Sequence, residues 1–478
     1  MKTFLQVLSE EEKHEIHARS LDILANTGVR VDTALGRKLL GEAGAQVNEN
    51  DRIVRIPKTL VEESLRLTTT DFSLGARRPG CDLQMNAGNF TLLADGEGTF
   101  VSDALTGERQ LSTTKDWLMA TKLIDSIDEI GIYWSMVERG DAPANPSAAQ
   151  QVGYLSDIFR NFSKHVQDGL PSADLAPWIL EVLQVVFGDK ETIRQTHPYS
   201  FLLCPQSPLV IDQQYTDAYL ALLGWDIPVA IMPMPLMGGT GPGSLMGTII
   251  LGNCEVLATL CMIQAGAPGT PIIYAPVLAI SNLRDGTYSA GAVESGLTGA
   301  ASTEMARYYG LPVEASGGGT SQFSPNIQAS YERTLNSFLP VLSWPDILVG
   351  PGLMGGSTHF SPEQLLIDVE VFKMSIRAHQ GIAAGDDHWL DDAIQKVGPG
   401  GHFMAQPSTI KNMRSGEWYL TEFGWHGGYE EWHAAGKPNL IQESRQKIET
   451  ILSNHEPLPL SEEMEQELEN IFNRAKET

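Results

Sequence analysis

The chain has 478 residues, 42% of them hydrophobic and 19% charged, a balance that excludes wholesale disorder and suits a large barrel with extensions better than one small domain. Its 59 acidic side chains against 33 basic ones give a formal charge of -26. Such a surface repels phosphate backbones, so neither nucleic acid nor an anionic membrane is expected as a partner.

The first residues, MKTFLQVLSEEEKHEIH, turn acidic early and carry no apolar signal core, which predicts a cytoplasmic protein. Residues 1–88 read as an N-terminal helical extension. Ser9 and the three glutamates after it open a helix to about Asn26, a second runs from Thr33 to about Ala43, and Ile56-Pro57 introduces a third. From about Phe90 the pattern becomes repetitive. Apolar runs at Phe90–Ala94, Ile130–Val137, His165–Gly169, Ser200–Cys204, Val229–Met234, Ile272–Val277, Val313–Ser316 and Ile347–Val349 alternate with helical segments. Those segments are Thr113–Ser126, Tyr154–Phe162, Pro177–Phe187, Asp212–Leu223, Leu245–Ala265, Ala290–Tyr309, Ile327–Leu342 and Pro362–His379. Eight strand-then-helix units predict an α/β fold, a TIM (β/α)8 barrel over residues 89–385. The open doubly wound alternative lacks its dinucleotide fingerprint. In the first unit Thr99–Ser102 offers a hairpin strand. The most apolar stretch, Leu245–Ala265, carries Asn253 and Glu255 and is expected to be a buried barrel helix rather than a membrane span. Residues 386–478 read as a C-terminal extension of Gly- and aromatic-rich loops, closed by a helix at Ser461–Lys476 that packs on the barrel exterior.

Active sites of such barrels lie at the C-terminal strand ends and in the loops that follow. Those ends carry Asp95 and Glu97, Tyr133 and Trp134, Gln167 and Asp168, Cys204 and Gln206, Met234 and Met237, Tyr274, Ser316 through Gln322, and Met354 through Phe360. Cations are scarce among them. No Lys or Arg lies between Arg194 and Arg284, which excludes a Schiff-base lysine there. Gly317, Gly318 and Gly319, followed by Thr320-Ser321, lack the G-K-[ST] of a P-loop; they either let the chain turn tightly or admit a carboxylate close to the backbone. His359, just before a helix opened by Ser361-Pro362, stands at the expected rim near a positive helix end, and His402 in GPGGHF is similar; each is either a structural hydrogen-bonder or a ligand contact. His165 begins a strand and faces the structural end. The four cysteines, Cys81, Cys204, Cys254 and Cys261, have no C-x-x-C spacing, and no histidine pair seeds a site, so neither disulfides nor a bound metal are expected. The aromatics Tyr133, Trp134, Tyr274, Phe323, Trp344 and Phe360, with Phe403 and Trp425 from later loops, either pack a core or wall a cage for a quaternary ammonium.

The stretches LPVEASGGGTSQFSPNIQASYERTLNSFLP and ILVGPGLMGGSTHFSPEQLLIDVEVFKMSIRAHQGI, with GPGGHFMAQPSTIKNMR at 398–414, resemble the trimethylamine methyltransferase family. The resemblance covers most of the chain. It implies a corrinoid-dependent methyltransferase on a TIM barrel, using cob(I)alamin carried by a partner corrinoid protein, with no permanently bound cofactor. The founding trimethylamine enzymes carry pyrrolysine within the barrel; the comparable stretch here reads Ser321-Gln322-Phe323-Ser324-Pro325. The chain therefore resembles the non-pyrrolysine branch, whose members demethylate betaines: glycine betaine, proline betaine, carnitine and butyrobetaine. Glycine betaine, yielding dimethylglycine, is the expected donor. On this reading Tyr133, Trp134, Tyr274, Phe323 and Phe360 form or flank the cage. His359 and the Gly317–Gly319 backbone hold the carboxylate, Gln322 or His402 assist, and no residue is assigned a catalytic role beyond positioning. Two rivals remain: a cobalt-independent lyase or hydrolase of a small carboxylate, with His359 as base and Asp95 or Asp168 as acid, and a non-catalytic betaine-binding barrel. A homo-oligomer is compatible with either.

Overall fold

The computed structural model describes residues 2–94, 96–143 and 145–477. Eight parallel strands form its centre: β1 (Thr91–Leu93), β2 (Ile130–Tyr133), β3 (His165–Asp168), β4 (Tyr199–Leu203), β5 (Val229–Ile231), β6 (Ile272–Tyr274), β7 (Glu314–Ser316) and β8 (Ile347–Val349). They pair in the circular order β6-β5-β4-β3-β2-β1-β8-β7, and a single parallel bridge between Tyr274 and Val313 closes the ring. The strands follow β-branched and other apolar residues buried on both faces, as a sheet covered by helices requires. This is the TIM barrel that the eightfold alternation predicts.

The principal helices of the outer ring are α1 (Thr114–Ser126), α2 (Ala148–Asn161), α3 (Ala176–Phe187), α4 (Gln214–Leu220), α5 (Leu245–Gly266), α6 (Val293–Tyr309), α7 (Ile327–Ser343) and α8 (Pro362–Gln380). Their starts are written in the sequence. Thr113 with Asp116, and Ser147 with Gln150, form reciprocal capping boxes, while Ser244, Asn326 and Ser361 cap α5, α7 and α8. Helix α5 is long and apolar enough to cross a membrane, yet 83% of its most apolar window is buried inside the protein. Its polar residues are satisfied there: Asn253 donates to Ser20 and Tyr309, and Glu255 accepts from the Ser207 hydroxyl and the Leu209 N–H. Cys254 and Cys261 are buried in its core-facing surface.

The N-terminal region departs from the all-helical expectation. Beside helices Glu10–Asn26, Ala34–Glu42 and Lys58–Leu67 it holds strands Val29–Val31, Gln46–Asn48 and Ile53–Arg55, and Val210–Ile211 from the loop after β4 joins them as a fourth strand. Three-residue strands are too short to leave an alternation in the sequence. A further hairpin, Ser73–Leu74 with Leu83–Gln84, closes the floor of the barrel. From it and its flanks Phe72, Leu74 and Met85 pack against the inward-facing Leu93, Ile132, Ala230, Ile273 and Ile347. Above this apolar plug Gln167 donates to Glu314 across the lumen, joining strands on opposite sides of the ring at 3.0 Å. At the other end Phe100–Ser102 pairs with Arg109–Leu111 and, in parallel, with His359–Phe360. The hairpin read at Thr99–Ser102 is thus part of a small sheet over the mouth.

Candidate active site

A cavity of about 1020 Å3 opens at the C-terminal ends of β2, β3 and β4. Its inner wall is Trp134, Asp168, Leu202 and Cys204; the loops after β1 and β2 add Glu97, Glu138 and Arg139. Tyr154 of α2 forms a side, and Leu468 and Phe472 of the C-terminal helix Glu462–Ala475 complete the outer wall. That last helix is held by ion pairs from Glu465 to Arg160 and from Arg474 to Glu181.

Carboxyl side chains dominate the inner part. Asp168 is buried, its Oδ1 accepting only the N–H of Gly169 at 2.8 Å. Burial, then the neighbouring Glu97 carboxylate, raises its carboxyl to about 8. Glu97 is wetted along the cavity yet ringed by protein, and that depth, with Glu138 adding repulsion, raises its carboxyl to about 7. Neither forms an ion pair among the described residues. The same burial, with Glu314, Asp212 and Glu97 nearby, pushes the Cys204 thiol up to about 12, which removes it as a nucleophile. Trp134 is fixed by a close approach: a Cβ on Gly96 would lie 1.8 Å from its Cδ1 and 2.3 Å from the Ser135 carbonyl, so only glycine fits beside the indole.

Arg139 and Arg160 are the cations lining the cavity, and Arg139 lies on the loop after β2. Both terminal nitrogens of Arg139 donate to Asp157 at 3.1 Å, and the guanidinium stacks 3.7 Å above the Trp117 ring, while its buried Nε has no partner. The scarcity of cations read between Arg194 and Arg284 therefore does not extend to the whole mouth, because Arg139 and Arg109 arrive on the loops after β2 and β1.

The residues singled out from sequence are not one cage. Trp134 lines the cavity. Tyr133 is fully buried on the outer side of the strand, its hydroxyl accepting from Trp117 Nε1 at 3.1 Å. Tyr274 likewise points into the helix layer, donating to Asn253 at 3.0 Å and packing near Tyr309. Neither ring face is open to a ligand. Phe323, His359 and Phe360 gather on the opposite flank of the mouth. His359 stacks on Phe100, meets the exposed Phe323 edge-on, and accepts from Arg109 Nη1 at 3.2 Å, while Phe360 is buried beneath. Burial and Arg109 both lower the imidazole pKa, so the ring is neutral. The Gly317–Gly319 loop is closely packed. A Cβ on Gly317 would meet Leu348 at 2.9 Å, one on Gly319 the Ala290 carbonyl at 2.4 Å, and Gly318 has φ +66°. Just beyond, Glu332 accepts from the Thr320 hydroxyl and the Ser321 N–H, a carboxylate where an anion nest would need none. Gln322 bonds Asn326 and, through its carbonyl, the Gly355 N–H. His402 is exposed on the C-terminal extension. Asp95, the acid of the rival lyase reading, lies outside the described residues. Glu138, Arg139 and Tyr154 escaped the sequence reading; the charged Glu138-Arg139 pair straight after an apolar run was the available signal.

The fold and the cavity together define a TIM-barrel protein with a carboxylate-lined pocket at its strand ends. The chain belongs to the trimethylamine methyltransferase (MTTB) family, whose model matches residues 2–478. It is 29% identical over 469 residues to the trimethylamine methyltransferase MttB of Desulfitobacterium hafniense strain DSM 10664 / DCB-2, covering 98% of this chain and 94% of that protein. It is 28% identical over 474 residues to a glycine betaine methyltransferase of D. hafniense strain Y51, covering 98% and 97%. Among solved structures it is similar to the monomethylamine methyltransferase of Methanosarcina barkeri, with TM-score 0.45 and 14% identity over 98% of this chain and 92% of that one.

Proposed function

We propose that the chain moves a methyl group from a small quaternary amine, glycine betaine fitting best, to the reduced cobalt of a corrinoid held by a partner protein. Family membership supports methyl transfer as the reaction class. The observation that carries the donor's chemistry is the cavity itself: Glu97 and Asp168 are carboxyls kept protonatable near neutral pH by burial and by neighbouring carboxylates, and neither forms an ion pair among the described residues. A permanent cation is their complement, and Trp134 offers it a ring face. Arg139, whose guanidinium lines the same cavity, supplies positive charge to attract a carboxylate. On this reading the carboxylate anchor is Arg139 rather than His359 and the glycine loop.

The donor arrives activated. When the partner's cobalt attacks the methyl carbon, the C–N bond breaks, both its electrons stay on nitrogen, and a neutral tertiary amine leaves without needing a proton. The chain's own residues orient one N-methyl toward the mouth, exclude water and hold the cationic head. Positive charge on nitrogen falls as the bond breaks, so a fully ionised cage would favour the donor over the transition state. Carboxyls that titrate near pH 7–8 temper that preference.

The test is to add betaines to the protein with reduced cobalamin and follow the visible spectrum and the amine product. Methylcobalamin together with dimethylglycine supports the proposal. Turnover of betaine without cobalt would assign a cobalt-independent reaction, and binding without methyl loss would leave a non-catalytic receptor; either result removes it.

A further inference from the structure

The two arginines that line the cavity share one carboxylate. One oxygen of Asp157, on α2, accepts from both terminal nitrogens of Arg139 at 3.1 Å, and the other accepts from Arg160 Nη1 at 3.0 Å. The guanidinium groups therefore stand on either side of a single carboxylate, two anchors for an anionic ligand only that width apart. A fourth residue makes them unequal. Glu465, in the first turn of the C-terminal helix Glu462–Ala475, takes Arg160 as a fork, accepting from Nε at 3.1 and 3.0 Å and from Nη2 at 2.7 Å. Arg160 thus meets two carboxylates, while Arg139 meets only its share of Asp157. The Trp117 and Tyr154 rings, 3.7 and 4.8 Å from the Arg139 guanidinium, fix its plane without supplying a counter-anion. Glu469, one turn beyond Glu465, also lines the cavity but accepts from Asn473.

We propose that Glu465 is a positioning residue for the donor: by occupying Arg160 it reserves the donor's carboxylate for Arg139. The inference rests on the betaine reading above and adds a residue that acts on the donor only through another. Without Glu465 the carboxylate has two anchors to choose from. Settled on Arg160, it lies displaced by the width of Asp157, and the N-methyl groups shift by as much relative to Trp134, Glu97 and Asp168. A displacement of that size is enough to lose a reactive alignment. The pair does little as a strut. Arg160 and Glu465 are 34% and 41% exposed, and an ion pair so wetted adds little to folding. The helix is anchored instead by the buried Leu468, Ile471 and Ala475. The bidentate fork therefore fixes the direction of Arg160 more than it stabilises the chain.

Calorimetry of the full chain with glycine betaine and with tetramethylammonium, no corrinoid present, tests this. Glu465→Gln should bind betaine on the order of fivefold tighter, because a negative charge beside the second anchor is gone, and should change tetramethylammonium by less than about twofold. Adding Arg160→Gln to that variant should abolish the gain. Glu465→Asp, which retracts the fork by one methylene, should give a smaller gain in the same direction, so the prediction holds even if the Gln variant does not fold. With reduced cobalamin present, kcat and KM of Glu465→Gln for betaine should fall together, as a second, unproductive binding position requires. Unchanged betaine affinity in the folded variants, or an equal weakening for both amines, overturns the proposal and leaves the donor reading standing. A wild-type chain that binds tetramethylammonium but not betaine overturns the donor reading and this inference with it.

Discussion

The two flanks of the barrel mouth are built from similar parts and end in opposite states. Over β2–β4, Trp134, Glu97, Asp168 and Arg139 surround a large cavity, and among the described residues neither carboxyl forms an ion pair. Over β7–β8, Phe100, Phe323, His359 and Arg109 close on one another, ring on ring and donor on acceptor. Carboxyls without an ion pair lining an open cavity, rather than the mere presence of aromatic and polar residues at strand ends, set the first flank apart from the well-packed rim.

Exchanging the roles of the flanks would break this contrast most clearly. Asp168→Ala is expected to lower kcat/KM for methyl transfer by about a hundredfold or more, because it removes the buried carboxyl that a bound cation would draw into its ionised form. If His359→Ala produces the larger loss, the site lies on the other flank. Gly96→Ala should lower kcat/KM by roughly tenfold to a hundredfold, since the new methyl displaces the Trp134 indole; unchanged kinetics would remove Trp134 from the site. Arg139→Met should raise the KM for betaine about tenfold while leaving a quaternary amine without a carboxylate nearly unaffected, and equal losses for both would restrict Arg139 to a packing role on Trp117. Betaine affinity, measured by calorimetry, should strengthen about tenfold from pH 6 to pH 9 as Glu97 and Asp168 ionise at about 7 and 8. The sign for stability is opposite. Asp168 holds its proton in the folded chain well above the unfolded value, so the free protein should lose stability as pH rises from about 4 to about 8. Asp168→Asn should flatten that slope, shifting the melting temperature at pH 8 upward by a few degrees.

The barrel was readable because each of its eight strands is a compact apolar run and most of the helices between them begin at a side-chain cap. The same runs conceal which way a side chain faces. In Ile130–Tyr133 every residue is buried, so no polar alternation separates the outward Tyr133 from the residues that look into the lumen. Trp134, one position beyond the strand, escapes that ambiguity. Glu97 and Asp168 were visible as strand-end acids, but their standing without an ion pair among the described residues depends on how the loops fold back, which spacing does not encode. Arg139 is tied to Asp157, eighteen residues away on α2, and that partnership places it in the cavity.

Leu468 and Phe472, ten and six positions from the end of the chain, stand in the same wall as Tyr154. The last turns of polypeptide are thus mechanically continuous with the strand tips. Changes in the helix Glu462–Ala475 would remodel the chamber from outside, so its sequence offers a natural place for relatives to differ in the size of molecule they admit.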